Sequence, residues 1–176
     1  MFKKSEIGIP GLNLTPDAID TALENKIINK IEKGKWISAH KTREVQQYGG
    51  IYNYQTRKLD SYVKIPYWLY TLADYLDLPK PDNVIINKYE PGEGITDHID
   101  NNCFGPVIAS LSLNSPIIMT LKLNALVKDI CLEPRSLLRL EGEARNRWTH
   151  GIVARKKDNG VLRQKRYSIT FRTILL

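Results

Sequence analysis

"NKYEPGEGITDHID", residues 87–100, ends an apolar β-like run ("VIINKY", residues 84–89) on a proline and two glycines, then delivers His98 and Asp100 two residues apart. A Pro-Gly step stops a strand and opens a turn, so the chain folds back here and continues as a second strand. In extended backbone, residues i and i+2 share a face. An imidazole and a carboxylate are thereby set side by side, with Ile99 turned into the wall.

The sequence stays β-like on both sides of this turn. "NVIINKY" (83–89), "PVIASLSL" (106–113), "PIIMTLKL" (116–123), "LVKDICL" (126–132), "SLLRLEG" (136–142), "HGIVARK" (150–156) and "RYSITFRTI" (166–174) are short apolar runs separated by Gly, Pro, Asn and Asp. Such spacing predicts a closed or sandwiched antiparallel sheet. Upstream, "LTPDAIDTALENKIINKIEKGKW" (14–36) reads as a helix with Thr15 as N-cap and Pro16 at the first position. Its stripe is Ile19, Leu23, Ile27 and Ile31, and Gly34 ends it. A second helix, "PYWLYTLADYLDL" (66–78), starts at Pro66 and puts Leu69, Leu72, Ala73 and Leu76 on one face. The expected fold is mainly β with flanking helices: a double-stranded β-helix (jelly-roll) barrel over residues 83–176, with helices and short strands or a flap in residues 1–82, as a single domain.

The chain has 176 residues, 42% hydrophobic and 26% charged, a globular balance that excludes a disordered polymer. It has no apolar run of the roughly 18 residues a membrane span requires. "MFKKSEIGIPGLNL" (1–14) lacks an apolar core after its lysines, which argues against a secretory signal. Cys103 and Cys131 have no metal-type spacing. A cytoplasmic monomer with reduced thiols is expected. The net charge of +7 favours a polyanion partner, nucleic acid first.

A lone HxD arises by chance in many chains, but a later histidine, His150 in "WTHGIV" (148–153), opens another strand. Two imidazoles and one carboxylate form a facial triad that leaves open positions on an octahedral iron. Structural zinc takes four protein ligands, so the triad favours Fe(II). His40 is assigned to the surface. In "RYSITFR" (166–172), Arg166, Ser168, Thr170 and Arg172 share one face. The two arginine Cα atoms stand roughly 20 Å apart, so their inward-leaning guanidinium groups leave room for a short diacid held at both ends. A solvated basic edge strand would have the same sequence.

In combination, Asn-x-Tyr, Pro-Gly, HxD, the distal His-Gly and Arg-x5-Arg, in that order, resemble the AlkB family of Fe(II)- and 2-oxoglutarate-dependent dioxygenases. "LEPRSLLRLEGEARNRWTHGI" (132–152) resembles the family's distal-histidine segment, and the first 80 residues resemble more loosely its helices and nucleotide-recognition lid. The resemblance implies that His98, Asp100 and His150 ligate iron and that Asn87 and Tyr89 hydrogen-bond the cosubstrate. It also implies that Arg166 pairs with the far carboxylate of 2-oxoglutarate and that Arg172 lies near the carboxylate beside the keto group. Ser168 stands where family members often have Asn. The implied reaction consumes 2-oxoglutarate and O2, releases succinate and CO2, and hydroxylates a nearby C–H.

For the substrate, Tyr48, Tyr52 and Tyr54 in "TREVQQYGGIYNYQTRK" (42–58) either stack on a base or fill space. The loop "RKKDNGVLRQKR" (155–166) offers Arg155, Lys156, Lys157, Arg163 and Lys165 to phosphate. Repair members of the family tend to carry an acid shortly after HxD, whereas here Asn101 and Asn102 follow, so Asn102 is a candidate substrate contact. The wording "YEPGEGI", "SLSL" and "WTHGI" is closest to the tRNA-modifying branch. The expected partner is therefore nucleic acid, RNA or single-stranded DNA, with RNA slightly preferred. A protein hydroxylase or demethylase on the same scaffold, or a barrel that binds metal and acid without turnover, stays open as an alternative.

Overall fold

A computed structural model describes residues 8–39, 43–53 and 58–175. Period-two alternation in the last strand, β14 (Arg166–Ile174), organises the architecture. Tyr167, Ile169 and Phe171 go into one core, while Arg166, Ser168, Thr170 and Arg172 face a cleft on the other side. β14 lies between β5 (Asn83–Tyr89) and β7 (Phe104–Leu113), antiparallel to both. From β7 the sheet continues through β10 (Leu137–Leu140) to β1 (Leu12–Thr15). From β5 it continues through β3 (Arg43–Asn53), which pairs with both β2 (Ile37–Ala39) and β4 (Lys58–Val63).

A smaller sheet faces this one, in the order β6 (Ile95–His98), β11 (Thr149–Ile152), β8 (Ile117–Leu123), β9 (Leu126–Leu132). The cross-over between the sheets forms the jelly-roll barrel expected from the strand spacing. A two-stranded hairpin, β12 (Lys157–Asp158) and β13 (Val161–Leu162), leads into β14. One core lies between the two sheets, with Ile108, Leu138 and Leu140 from the large sheet meeting Ile117, Leu121, Leu132 and Ile152 from the small one.

The second core covers the back of the large sheet with α1 (Thr21–Glu32) and α2 (Tyr67–Tyr75). Ile31 and Leu69 are 0% exposed there, and each contributes about 1.5–3 kcal/mol by burial. The start of α1 differs from the sequence expectation. Thr15 does not cap it but pairs with Leu137 at the end of β1, and Asp17 at φ 45 breaks the helical path. Asp20 is the cap, its side chain accepting from the Leu23 amide at 2.7 Å. Ile19 is buried ahead of the helix rather than on its stripe. Pro66 is likewise the residue before α2, not its first. A short helix that the sequence reading did not contain, α3 (Gly142–Asn146), precedes β11.

Gly49 has a definite role where β3 bends against β5. Its φ is +79, and a Cβ there would stand 2.0 Å from the Asp82 carbonyl oxygen. Only glycine allows the two backbones to come this close. Among the described residues, no helix is long and apolar enough to cross a membrane.

Candidate active site

The cleft between the sheets has a volume of about 1580 Å³ and is lined by β3, β5, β14 and β10 on one side and β6, β8 and β11 on the other. The small sheet supplies both histidines: His98 on β6 is the register partner of His150 on β11. Their rings lie 4.4 Å apart, centroid to centroid, at 50°. The carboxylate comes from the loop after β6. The strand ends at His98, so alternation does not carry through the tripeptide, and Ile99 is 38% exposed rather than turned into the wall. Asp100 is nevertheless brought in, with Oδ2 3.5 Å from His150 Nε2. One ligand atom from each of His98, Asp100 and His150 lies within 4.8 Å of the others.

The protonation states suit a cation. His98 Nδ1 sits 2.9 Å from the Thr96 carbonyl; a carbonyl can only accept, so Nδ1 donates and Nε2 is the ring nitrogen left for a metal. Burial lowers the His150 pKa to about 4 against the pull of Asp100, which keeps that imidazole neutral. Burial alone would raise the Asp100 carboxyl, but the surrounding positive charge, Arg172 first, outweighs it and holds it below the usual range. Arg172 Nη2 lies 2.6 Å from Asp100 Oδ1, so this guanidinium is engaged on the metal side, with its face against Phe104.

Arg166 is different. It is 1% exposed, donates from Nη2 to Ser112 Oγ at 2.8 Å, and rests 5.4 Å from the Tyr89 ring centroid. Its Nε and Nη1 are buried with no partner, and burial lowers its pKa to about 10. A buried cation with free donors costs several kcal/mol unless something anionic completes it, so the residues fit a carboxylate. Ser168 and Asn87 are register partners two residues along from Arg166 and Tyr89, the next pair on the same face, and all four line the cleft. Asn87 Oδ1 accepts from Arg43 Nε at 2.9 Å.

The proposed substrate contacts are scattered. Tyr48 lies on the opposite face of β3 from Arg43, Val45 and Gln47; it packs on the helix-side core and donates to Gln46 Oε1 at 3.0 Å. The alternation that aims Gln47 at the cleft turns Tyr48 away from it. Tyr54, the Tyr52 side chain and His40 lie outside the described residues. Asn102 is exposed beyond the cleft, while Asn101 lines it. Lys156 and Lys157 are exposed and do not line the cleft. Arg155 and Arg163 are tied to Asp158, and Arg163 is 5% exposed, so neither is a free phosphate contact.

The profile of the 2OG-Fe(II) oxygenase superfamily matches residues 19–172. The chain is 35% identical to "Uncharacterized protein L905" of Acanthamoeba polyphaga mimivirus, over 94% of this chain and 85% of that one. It is 34% identical to the "tRNA (carboxymethyluridine(34)-5-O)-methyltransferase alkbh8" of Xenopus tropicalis over 85% of this chain but only 26% of that protein's length. The solved structure of OsALKBH1 superposes with a TM-score of 0.74 at 18% identity, covering 93% of this chain and 97% of that one.

The chain belongs to the 2OG-Fe(II) oxygenase superfamily and, within it, to the AlkB homologues. It is a 2-oxoglutarate-dependent dioxygenase that uses Fe(II) and O2. Iron supplies the O2 chemistry that side chains lack. Among the chain's own residues, His98, Asp100 and His150 could hold that ion, with His150 kept unprotonated and Asp100 fixed by Arg172.

Proposed function

We propose that the protein oxidises alkylated or modified bases in nucleic acid, with RNA favoured over DNA, by demethylation or stable hydroxylation. The observation that carries this reading is the size and lining of the cleft. Arg166 offers unpartnered donors to a small diacid, and the cleft of about 1580 Å³ that it shares with His98, Asp100 and His150 is roomy enough for a flipped nucleotide as well. In this reading His98, Asp100 and His150 hold the iron. Arg166 pairs with the far carboxylate of 2-oxoglutarate, Asn87, Tyr89 and Ser168 complete its hydrogen bonds, and Arg172 steadies Asp100 beside the other carboxylate. Tyr52, Tyr54, Lys156 and Lys157 are the lid and rim groups offered to the nucleotide. The tRNA-modifying name of the Xenopus relative supports RNA.

The test is succinate formation with methylated RNA, methylated single-stranded DNA, bulk tRNA and histone-type peptides as substrates, with nucleoside products followed by mass spectrometry. Modified RNA should stimulate turnover most, and Asp100→Ala should abolish it while the protein stays folded. Stimulation by peptides alone would overturn the nucleic-acid reading. So would binding with no dependence on salt, because phosphate contacts release counterions.

A further inference from the structure

We propose that Arg43, on β3, is a positioning residue that locks the Asn87 side-chain amide in one orientation toward the cosubstrate pocket. The inference rests on the reading above that Asn87 contacts 2-oxoglutarate. β3 and β5 are antiparallel neighbours with Val45 opposite Asn87, so Arg43, two residues from Val45, lies on the same cleft-facing side. Its Nε stands 2.9 Å from Asn87 Oδ1.

A guanidinium has donors and no acceptor. The Asn87 atom facing it must therefore be the oxygen; turning the amide over would set Nδ2 against Nε, donor against donor. Nδ2 is left for the cleft. Asn87 is 6% exposed, and no bond from Nδ2 to another described residue is seen. Its strand neighbour across the sheet is Ser168, and the next pair on that face is Tyr89 with Arg166. The amide N–H groups thus join the row of donors that ends at the buried guanidinium, where an acid's oxygens would lie.

The experiment is calorimetric titration of Mn(II)-loaded protein with 2-oxoglutarate, without turnover, across single and double variants. Arg43→Ala and Asn87→Ala should each weaken binding about fivefold, the equivalent of one hydrogen bond. The double variant should bind no more weakly than Asn87→Ala alone, because Arg43 acts through that amide. Arg43→Lys, a donor without an acceptor, should retain most of the affinity. Arg43→Gln, which can present an oxygen and let the amide turn over, should not. Unchanged affinity in Arg43→Ala, or losses that multiply in the double variant, would overturn the inference. If Arg166→Ala and Asn87→Ala weaken binding while Arg43→Ala does not, only this inference fails; if those two also bind normally, the cosubstrate reading itself fails.

Discussion

Arg145 is 3% exposed and sends its guanidinium into the turn that follows the HxD. It donates to the main-chain carbonyls of Asp100 at 2.9 Å, Asn101 at 2.8 Å and Phe104 at 3.3 Å. Asp100 therefore has two arginine supports: Arg172 on its side chain and Arg145 on its backbone. Nothing in "GEARNRW" (142–148) announces this. A basic residue in a charged stretch reads as solvated, and only the tertiary approach of α3 to the loop reveals the contact. Arg145→Met keeps much of the volume and removes three donated hydrogen bonds; the Asn101 carbonyl keeps the Phe104 amide at 3.0 Å, and a carbonyl left dry and without a donor costs about 1–3 kcal/mol. The variant should unfold at lower urea than the parent and bind Mn(II) more weakly. Parental values for both would remove Arg145 from the site.

At the scale of the element, the two glycines of the opening turn serve different purposes. Gly92 has φ +104, and a Cβ there would meet only Lys156 Cγ at 3.7 Å; its requirement is conformational. Gly94 has an ordinary φ, but a Cβ would stand 2.2 Å from the Ile152 carbonyl oxygen and 2.8 Å from the Ala154 nitrogen. Those are backbone atoms that no rotamer change can clear, so an alanine must push β6 off β11 and part His98 from His150. Gly92→Ala should cost about 1 kcal/mol in urea unfolding with Mn(II) affinity intact, whereas Gly94→Ala should lose metal affinity by about tenfold or more. Equal effects on metal binding would refute the assignment. Period-two strands were legible here, since β14 carries its pattern in every residue. The start of α1 was not: Thr-Pro-Asp is a good local helix signal, but pairing of β1 with β10 takes Thr15, a contact more than 100 residues distant along the chain. Tyr48 escaped for a related reason, because residue type does not say which face of β3 is inside.

Across the whole molecule, the surplus of positive charge is less available than the composition implies. Arg135 is bound to Asp17 and Glu24, Arg172 to Asp100, and Arg155 and Arg163 to Asp158, so exposed lysines such as Lys156, Lys157 and Lys165 carry much of what a polyanion can meet. Asp158 is the knot that joins the last hairpin to the small sheet. It accepts from the Ile118 amide of β8 at 3.1 Å, from Arg155 Nε at 2.7 Å and from Arg163 at 2.8 and 2.9 Å. Arg163 in turn donates to the Val153 carbonyl at 2.8 Å, just beyond β11. Burial would raise this carboxyl, but Arg163, the Ile118 amide and Arg155 outweigh it and lower the pKa from 3.8 to about 2. The unfolded chain therefore binds the proton more readily than the folded one. The stabilisation is complete above pH 3.8 and is lost as the pH falls through about 2, and it amounts to roughly 2 kcal/mol at neutral pH. Asp158→Asn should give up that stability at pH 7 and show a flatter loss between pH 4 and 2 than the parent, measured by urea unfolding across that range. Parallel curves for the two proteins would mean that the ion-pair knot contributes nothing to holding the hairpin on the barrel.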